Sequence, residues 1–266
     1  MTMRIVALMT VRNEALYMER CLTHLHAQGI ETCVIDNEST DQTREIVEAF
    51  RGRGVFRVEN LPYRGRFELA AQCRFLEKLA TEIDADWFIR QDADEIREAP
   101  WPSDSLSQAI SIADRSGFNA IDFDEFIFVP TSEKESFEGT DYVELMRYYF
   151  YLDLQPLNHV NAWKNHGQAI DLTSSGGHAV MFDGRTIFPT KFILRHYMIL
   201  SGDHARRKYQ TRKFDESEVF ERGWHGWRAQ FAVERVRLPE RAQLKQLGIE
   251  GGWDTSEPQK YHLFID

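Results

Sequence analysis

Three cysteines in 266 residues are too few to hold a fold together. Cys21, Cys33 and Cys73 are odd in number and irregular in spacing, which excludes a disulfide framework and a zinc site. Reduced cytosolic thiols are the simplest reading. Positive charge is also in short supply, with 32 Lys and Arg against 42 Asp and Glu and a net charge of −10. Non-specific nucleic-acid binding needs a basic surface, so that class of function is excluded. No apolar run approaches the ~20 residues of a membrane helix. Ile5 to Val11 imitates the apolar part of a signal peptide, but the run is short. Arg12-Asn13-Glu14 follows it, and no small-residue cleavage site does. It is expected to be a buried first strand. There is no internal repeat and no low-complexity tract.

What is present is an ordinary globular balance, 42% hydrophobic and 28% charged, which excludes general disorder. The length suits one large domain or two tightly fused halves. The first hundred residues alternate between strand and helix signals. Ile5–Thr10 is a continuous apolar run, as expected of a strand covered on both faces, and Thr32–Asp36, Val55–Val58 and Trp87–Gln91 read as further strands. Asn13 is placed to cap a helix over 14–28, which Gly29 would end. Ser39 and Gln42 form a possible capping box for a second helix. A third spans about 67–82, with Leu69, Cys73, Leu76 and Ala80 on one face. This rhythm predicts an α/β fold with an open, mostly parallel sheet flanked by helices.

The second half is less regular. Phe118–Val129 reads as strand with a slip near Glu125, hence a bulge or two short strands. Residues 131–141 read as loop, 142–152 as aromatic-rich, and 203–215 and 217–235 as helical.

Ligands in open parallel sheets bind at the carboxyl ends of the strands. Thr10, Arg12 and Asn13 follow the first strand, Asp36 and Asn37 the second, and Asp92 and Asp94 the fourth. Asp92-Ala93-Asp94 sets two carboxylates one residue apart on a turn. Both can reach one hard cation, Mg²⁺ or Mn²⁺, and leave positions open for a diphosphate. An acidic turn alone is common on surfaces; three converging polar strand ends suggest a site.

These segments resemble the bacterial family-two glycosyltransferases with the GT-A fold, a Rossmann-like fold for nucleotide-diphospho-sugar transfer. The resemblance rests on Thr10-Val11-Arg12-Asn13-Glu14, on Val34 to Asp41 and on Trp87 to Glu95. The family's usual strings there are P-x-Y-N-E, V-D-D-G-S-T-D and D-A-D-D. A weaker likeness follows at Ser174-Ser175-Gly176-Gly177-His178 and Arg195-His196-Tyr197. The chain departs from the pattern in Thr-Val-Arg for the Pro-x-Tyr opening, Asn37-Glu38 for Asp-Gly, and Glu95 for a second Asp. The missing glycine makes the turn after the second strand less permissive.

The resemblance implies that residues 1–100 form a nucleotide-sugar-binding half. Residues 101–266 would be an acceptor-binding half with C-terminal helices, fused with the first into one domain. Thr10, Arg12 and Asn13 would line the nucleotide pocket, and Asp36 would accept a hydrogen bond from the base. Asp92 would touch the ribose, or the metal through water, and Asp94 would bind Mg²⁺ or Mn²⁺ directly. His196, with His178 behind it, would add a nitrogen ligand. Arg74, on the third helix, would face the diphosphate; its alternative is a solvated helix face. The cluster Arg206-Arg207-Lys208 with Arg212-Lys213 is either a solvated, paired helix or a lid for the departing diphosphate.

The expected reaction is a metal-dependent, inverting transfer of a sugar from a UDP- or GDP-sugar to a hydroxyl of a sugar, glycan or glycolipid, in polysaccharide biosynthesis. The base would be a carboxylate, with Asp124 and Glu125 ahead of Asp122 and Asp171. With no integral membrane segment, the expected location is the cytoplasm or the inner membrane face. Two alternatives stand beside this. One is a haloacid-type metal-dependent phosphatase, whose acidic pair normally follows the first strand. The other is a non-catalytic nucleotide- or sugar-binding domain.

Overall fold

The computed structural model describes residues 3–153, 159–248 and 252–265. Along the chain run β1 (Ile5–Val11), α1 (Ala15–Ala27), β2 (Glu31–Asp36), α2 (Thr43–Ala49), β3 (Val55–Asn60), α3 (Leu69–Glu82) and β4 (Trp87–Gln91). Then come β5 (Glu95–Glu98), α4 (Leu106–Arg115), β6 (Ala120–Ile121), β7 (Phe123–Phe128), α5 (Tyr142–Leu145) and β8 (Tyr148–Leu152). The last elements are β9 (Ala162–Lys164), β10 (Phe192–His196), α6 (Gly202–Gln210), α7 (Glu216–Phe220) and β11 (Lys245–Gln246). The chain forms two compact units. The first comprises Met1–Arg64, Glu68–Phe123 and Leu157–Leu194; the second comprises Gly65–Phe67, Asp124–Pro156 and Arg195–Asp266.

The first unit is built on a sheet of order β3-β2-β1-β4-β9-β6. Its first four strands are parallel, as their apolar runs predict. β9 and β6 close the edge in antiparallel fashion. Val6, Leu8, Cys33, Ile35 and Phe88 bury one face of this sheet beneath Cys73, Leu76 and Leu79 of α3. α1 packs on β2 and β5 through a stripe of Tyr17, Met18, Cys21, Leu22 and Leu25. All three cysteines are buried free thiols. Burial pushes the Cys33 thiol up to about 12, so it stays protonated and inert.

Two predicted caps are corrected. Neither Asn13 nor Ser39 caps its own following helix: α1 begins after Glu14 and α2 after Gln42, neither with a side-chain cap. The amides leading into α1 are satisfied instead from the β2–α2 loop. Asn13 N donates to Ser39 Oγ at 3.1 Å, Glu14 N to Thr43 Oγ1 at 2.8 Å and Ala15 N to Asp41 Oδ2 at 3.2 Å. One loop therefore terminates β2 and starts α1, which fixes the ends of β1 and β2 against each other.

In the second unit β11, β8 and β7 pair antiparallel. Its core is aromatic. Phe126 packs on Trp253 with ring centroids 4.4 Å apart, and Phe128 stacks on Tyr197 at 4.9 Å. Tyr149 and Phe150 of the aromatic run are core residues. Of the bulge or two short strands expected over 118–129, the structure has two strands, β6 and β7, with the break at Asp122 rather than near Glu125. The helix expected over 203–215 stops at Gln210. The one expected over 217–235 is the short α7 followed by two 3₁₀ turns, Gly226–Gln230 and Val233–Arg235. Gly223 and Gly226, both at positive φ, end its helical run.

Candidate functional site

The carboxyl ends of β1, β2 and β4 lie side by side in the first unit, because β1 pairs with both neighbours. At the first two ends the chain is held in unusual backbone. Asn13 and Glu38 both lie in the left-handed region, at φ 57° and 54°. For Asn this is common; for Glu it costs on the order of 1 kcal/mol. Glu38 occupies the position where the resembling family carries glycine. The strain is offset by contacts on both sides of the residue. Its Oε2 accepts from Tyr63 N at 3.0 Å, and its carbonyl accepts from Arg12 Nη1.

Arg12 also donates to Asn37 O at 2.7 Å, and its guanidinium lies 3.5 Å from the centre of the Tyr63 ring. Arg12 and Tyr63 thus form a flat, half-buried stack beside the β2 turn. Tyr63 was not anticipated; its signal would have been an aromatic just beyond the carboxyl end of β3. Thr10 Oγ1 donates to Gln72 of α3 at 3.0 Å. Asn13 Oδ1 accepts from Thr40 N at 2.7 Å. Asp36 is buried, accepts from Ser39 N at 3.0 Å, and has Arg44 at 3.7 Å.

The acidic turn joins β4 to β5 and rests on two arginines. Arg90 Nη2 donates to Asp92 Oδ2 at 3.0 Å. Burial works against the Arg90 charge, but Asp92 and Glu95 more than offset it, and the guanidinium is held more firmly protonated than usual. Arg97 is wholly buried and donates to Glu95 Oε2 at 2.6 Å and to Gln91 Oε1 at 3.2 Å. Its plane lies 4.3 Å from the Phe123 ring centre, and its Nη1 has no hydrogen-bond partner among the described residues. Glu95 Oε2 in turn accepts from Asp92 N at 3.2 Å. The turn is a built feature rather than a solvated bend. Neither arginine was anticipated, although a charge inside an apolar strand is a signal that a partner must be buried with it.

The Ser174–His178 loop belongs to the same unit. Glu77 of α3 anchors it, accepting from Leu172 N at 2.7 Å and from Thr173 N and Oγ1, each at 2.8 Å. Asp171 accepts from Ser174 N at 2.8 Å, a turn-forming bond. Asn161 Nδ2 donates to Gly177 O at 2.9 Å. Arg90 closely approaches the Gly177 backbone, and its Nε would lie 2.8 Å from an added Cβ. His178 is half-buried, with its ring 5.5 Å from that of His159. Arg74 is exposed on α3.

Asp94 is half-buried on the turn. Carboxylate oxygens are the hard donors that Mg²⁺ and Mn²⁺ take. Among the described residues no three His, Cys, Asp or Glu side chains form a cluster able to hold a metal. Asp92 and Asp94 offer oxygen donors of that kind on the acidic turn.

Of the carboxylates considered as base, Asp122 belongs to the first unit. Burial pushes its carboxyl up, against the opposing effect of Lys191 at 3.5 Å. In the second unit Asp124 is half-buried and accepts from Tyr151 Oη at 2.8 Å. Glu125 is buried, 2.6 Å from His196 Nδ1. The structure thus brings Glu125 and His196 together. Arg206 pairs with Glu133 and Asp203, and Arg207 with Glu138, so these two basic residues are engaged within their own unit.

The family model described as Glycosyl transferase family 2 matches residues 6–124. That stretch of the chain is similar to the family-two glycosyltransferases. The first unit has the mostly parallel sheet that this similarity implies, with parallel strands leading to the acidic turn and an antiparallel edge beyond. Among solved structures, S. aureus TarS is 14% identical with a TM-score of 0.47, covering 79% of this chain and 38% of that one. TarS 1-349 in complex with UDP-GlcNAc is 15% identical with a TM-score of 0.48, covering 79% and 64%. The mannosyltransferase PcManGT from Pyrobaculum calidifontis, in complex with GDP-Man and Mn²⁺, is 17% identical with a TM-score of 0.45, covering 78% and 60%. The chain spans less than two thirds of the length of each of these three. No curated protein matches it. The glycosyltransferase family match ends at Asp124. It thus takes in the strand ends and the acidic turn but not the glycine loop.

Proposed function

We propose that the chain transfers a glycosyl group from a nucleoside-diphosphate sugar to an acceptor hydroxyl. The observation that carries this reading is the acidic turn after β4, set on the half-buried Arg90 and the buried Arg97 beside the ends of β1 and β2. A solvated surface turn has no need of such a foundation.

In this reading Arg12 and Tyr63 offer a flat face to the nucleobase, and buried Asp36 accepts a hydrogen bond from its ring. Thr10 and Asn13 line the same pocket. Asp92, held by Arg90, accepts from a ribose hydroxyl. Mg²⁺ or Mn²⁺ would be held by Asp94 and Asp92, with water and diphosphate oxygens as its further ligands. Such an ion stabilises negative charge growing on a departing diphosphate. Arg74, exposed on α3, adds positive charge for the same phosphates.

The acceptor hydroxyl is a weak nucleophile and must lose its proton as it attacks. Asp124 and Glu125 are the candidate bases. What supports Asp124 is that it is the less buried, with Tyr151 steadying one oxygen. Glu125 is already committed to His196. A single displacement forms the new glycosidic bond as the bond to the diphosphate breaks, and inverts the anomeric carbon. The acceptor class is a sugar, glycan or glycolipid. Among the described residues no helix is long and apolar enough to cross a membrane. Work in the cytoplasm or at the inner membrane face belongs to the same proposal.

A thermal-shift screen of UDP and GDP with and without Mn²⁺ tests the reading. Stabilisation by one nucleotide, enhanced by the ion and lost in Asp94→Asn, is the expected result. Asp124→Asn should cut turnover by about 10²-fold or more while nucleotide binding survives. Rapid hydrolysis of a generic phosphate ester, with no nucleotide binding, would reject the proposal in favour of a phosphatase.

A further inference from the structure

Arg90 is out of place in its strand. Trp87, Phe88 and Ile89 before it are fully buried, and in the sheet it lies opposite Leu8 of β1. Its guanidinium is clamped from two sides. Asp92 Oδ2 accepts from Nη2 at 3.0 Å. Across from it is Gly177, at φ +80°, where a Cβ would lie 2.8 Å from Nε and 3.2 Å from Cζ. Asn161 ties the two together: its carbonyl accepts from Arg90 N at 2.8 Å, and its Nδ2 donates to Gly177 O at 2.9 Å. The glycine loop therefore leaves the guanidinium the space beside Asp92. That guanidinium is a permanent cation, placed on one of the two carboxylates that would receive a divalent ion.

We propose that Arg90 is a positioning residue that competes with the divalent cation for Asp92. The turn then takes the ion poorly by itself and takes it well only together with a nucleoside diphosphate. The physical basis is charge. An adjacent guanidinium repels an incoming dication, and the diphosphate brings the negative charge that outweighs this repulsion. Gly177 is part of the device, since any side chain there would push the guanidinium off its position. This inference rests on the reading that the acidic turn holds a metal with a diphosphate.

Titration of Mn²⁺ alone into the full chain, followed by the EPR signal of the free ion, tests it without any turnover. The unsubstituted chain should bind Mn²⁺ weakly. Arg90→Gln should tighten it by about tenfold or more, while Arg90→Lys, which keeps the charge, should not. Gly177→Ala, which displaces the guanidinium without deleting it, should fall between. If Arg90→Gln and Gly177→Ala, both folded by circular dichroism, bind Mn²⁺ no more tightly than the unsubstituted chain, the inference is overturned. Should Arg90→Gln fail to fold, Gly177→Ala decides alone. Adding Asp94→Asn to either variant separates the two levels. Loss of the gained affinity keeps the ion at the turn, whereas unchanged affinity puts it elsewhere and removes the functional reading instead.

Discussion

Both units bury carboxylates, and they compensate them differently. In the first unit the partners are arginine and lysine: Arg97 on Glu95 at 2.6 Å and Lys191 on Asp122 at 3.5 Å, with Arg90 on the half-buried Asp92. In the second they are imidazoles: His196 on Glu125 at 2.6 Å, and His225 on Glu218 at 2.8 Å. An arginine is charged at every pH a folded protein meets, so a pair with it is fixed as an ion pair. A histidine can be neutral and still donate one hydrogen bond, so its pair need not bear charge. The first unit therefore matches its carboxylates with side chains that stay cationic around neutrality, which suits a place where a cation and a diphosphate must be balanced. The second holds polar pairs whose charge is set by its surroundings.

The same substitution made in both units tests this most severely. Glu95→Gln leaves Arg97 fully buried with its counter-charge gone. It should destabilise the chain by about 3–5 kcal/mol in denaturant unfolding. Glu125→Gln keeps an oxygen that can accept from His196 Nδ1 and strands no permanent charge. It should cost about 1–2 kcal/mol. Equal losses would erase the distinction between the units. A larger loss at Glu125 would mean that His196 is charged in the native state.

How far the chain's sequence discloses these arrangements follows the range of the forces involved. β1, β2 and β4 were legible because strands buried on both faces are mostly apolar runs, a property of each segment alone. The acidic turn and the strand ends were legible for the same reason, since they are punctuation between such runs. Arg90 and Arg97 were not, because their roles depend on Asn161 and Gly177, far along the chain where no periodicity reveals them. The caps at Asn13 and Ser39 misled because Asn, Ser, Thr and Asp bond to any backbone amide within reach. Here the nearest amides and carbonyls were across the loop rather than one turn ahead. The helix expected over 217–235 failed because charged residues imitate a solvated helix, while Gly223 and Gly226 take positive φ. Tyr63 carries its signal only once Arg12 is known to lie beneath it.

The smallest effect is also the most direct probe of how the second unit handles charge. His225 is packed against Phe214, with ring centroids 4.5 Å apart, and edge-on to Phe67 at 5.6 Å. Burial in this aromatic setting lowers its pKa from 6.5. Glu218 opposes that shift, and the charges of Arg228 and Arg212 add to it. The folded chain therefore binds the His225 proton less readily than the unfolded chain does. The stability that neutral His225 contributes is complete above about pH 6.5, and it is lost as pH falls through the lower, folded-state pKa. Against the unsubstituted chain, His225→Gln removes this titration. The gap in melting temperature between the two should narrow from pH 7.5 to pH 5.5. A gap that widens on acidification would show that His225 gains rather than loses by protonation in the fold. Its pair with Glu218 would then be an ion pair after all, as fixed in kind as the arginine pairs of the first unit.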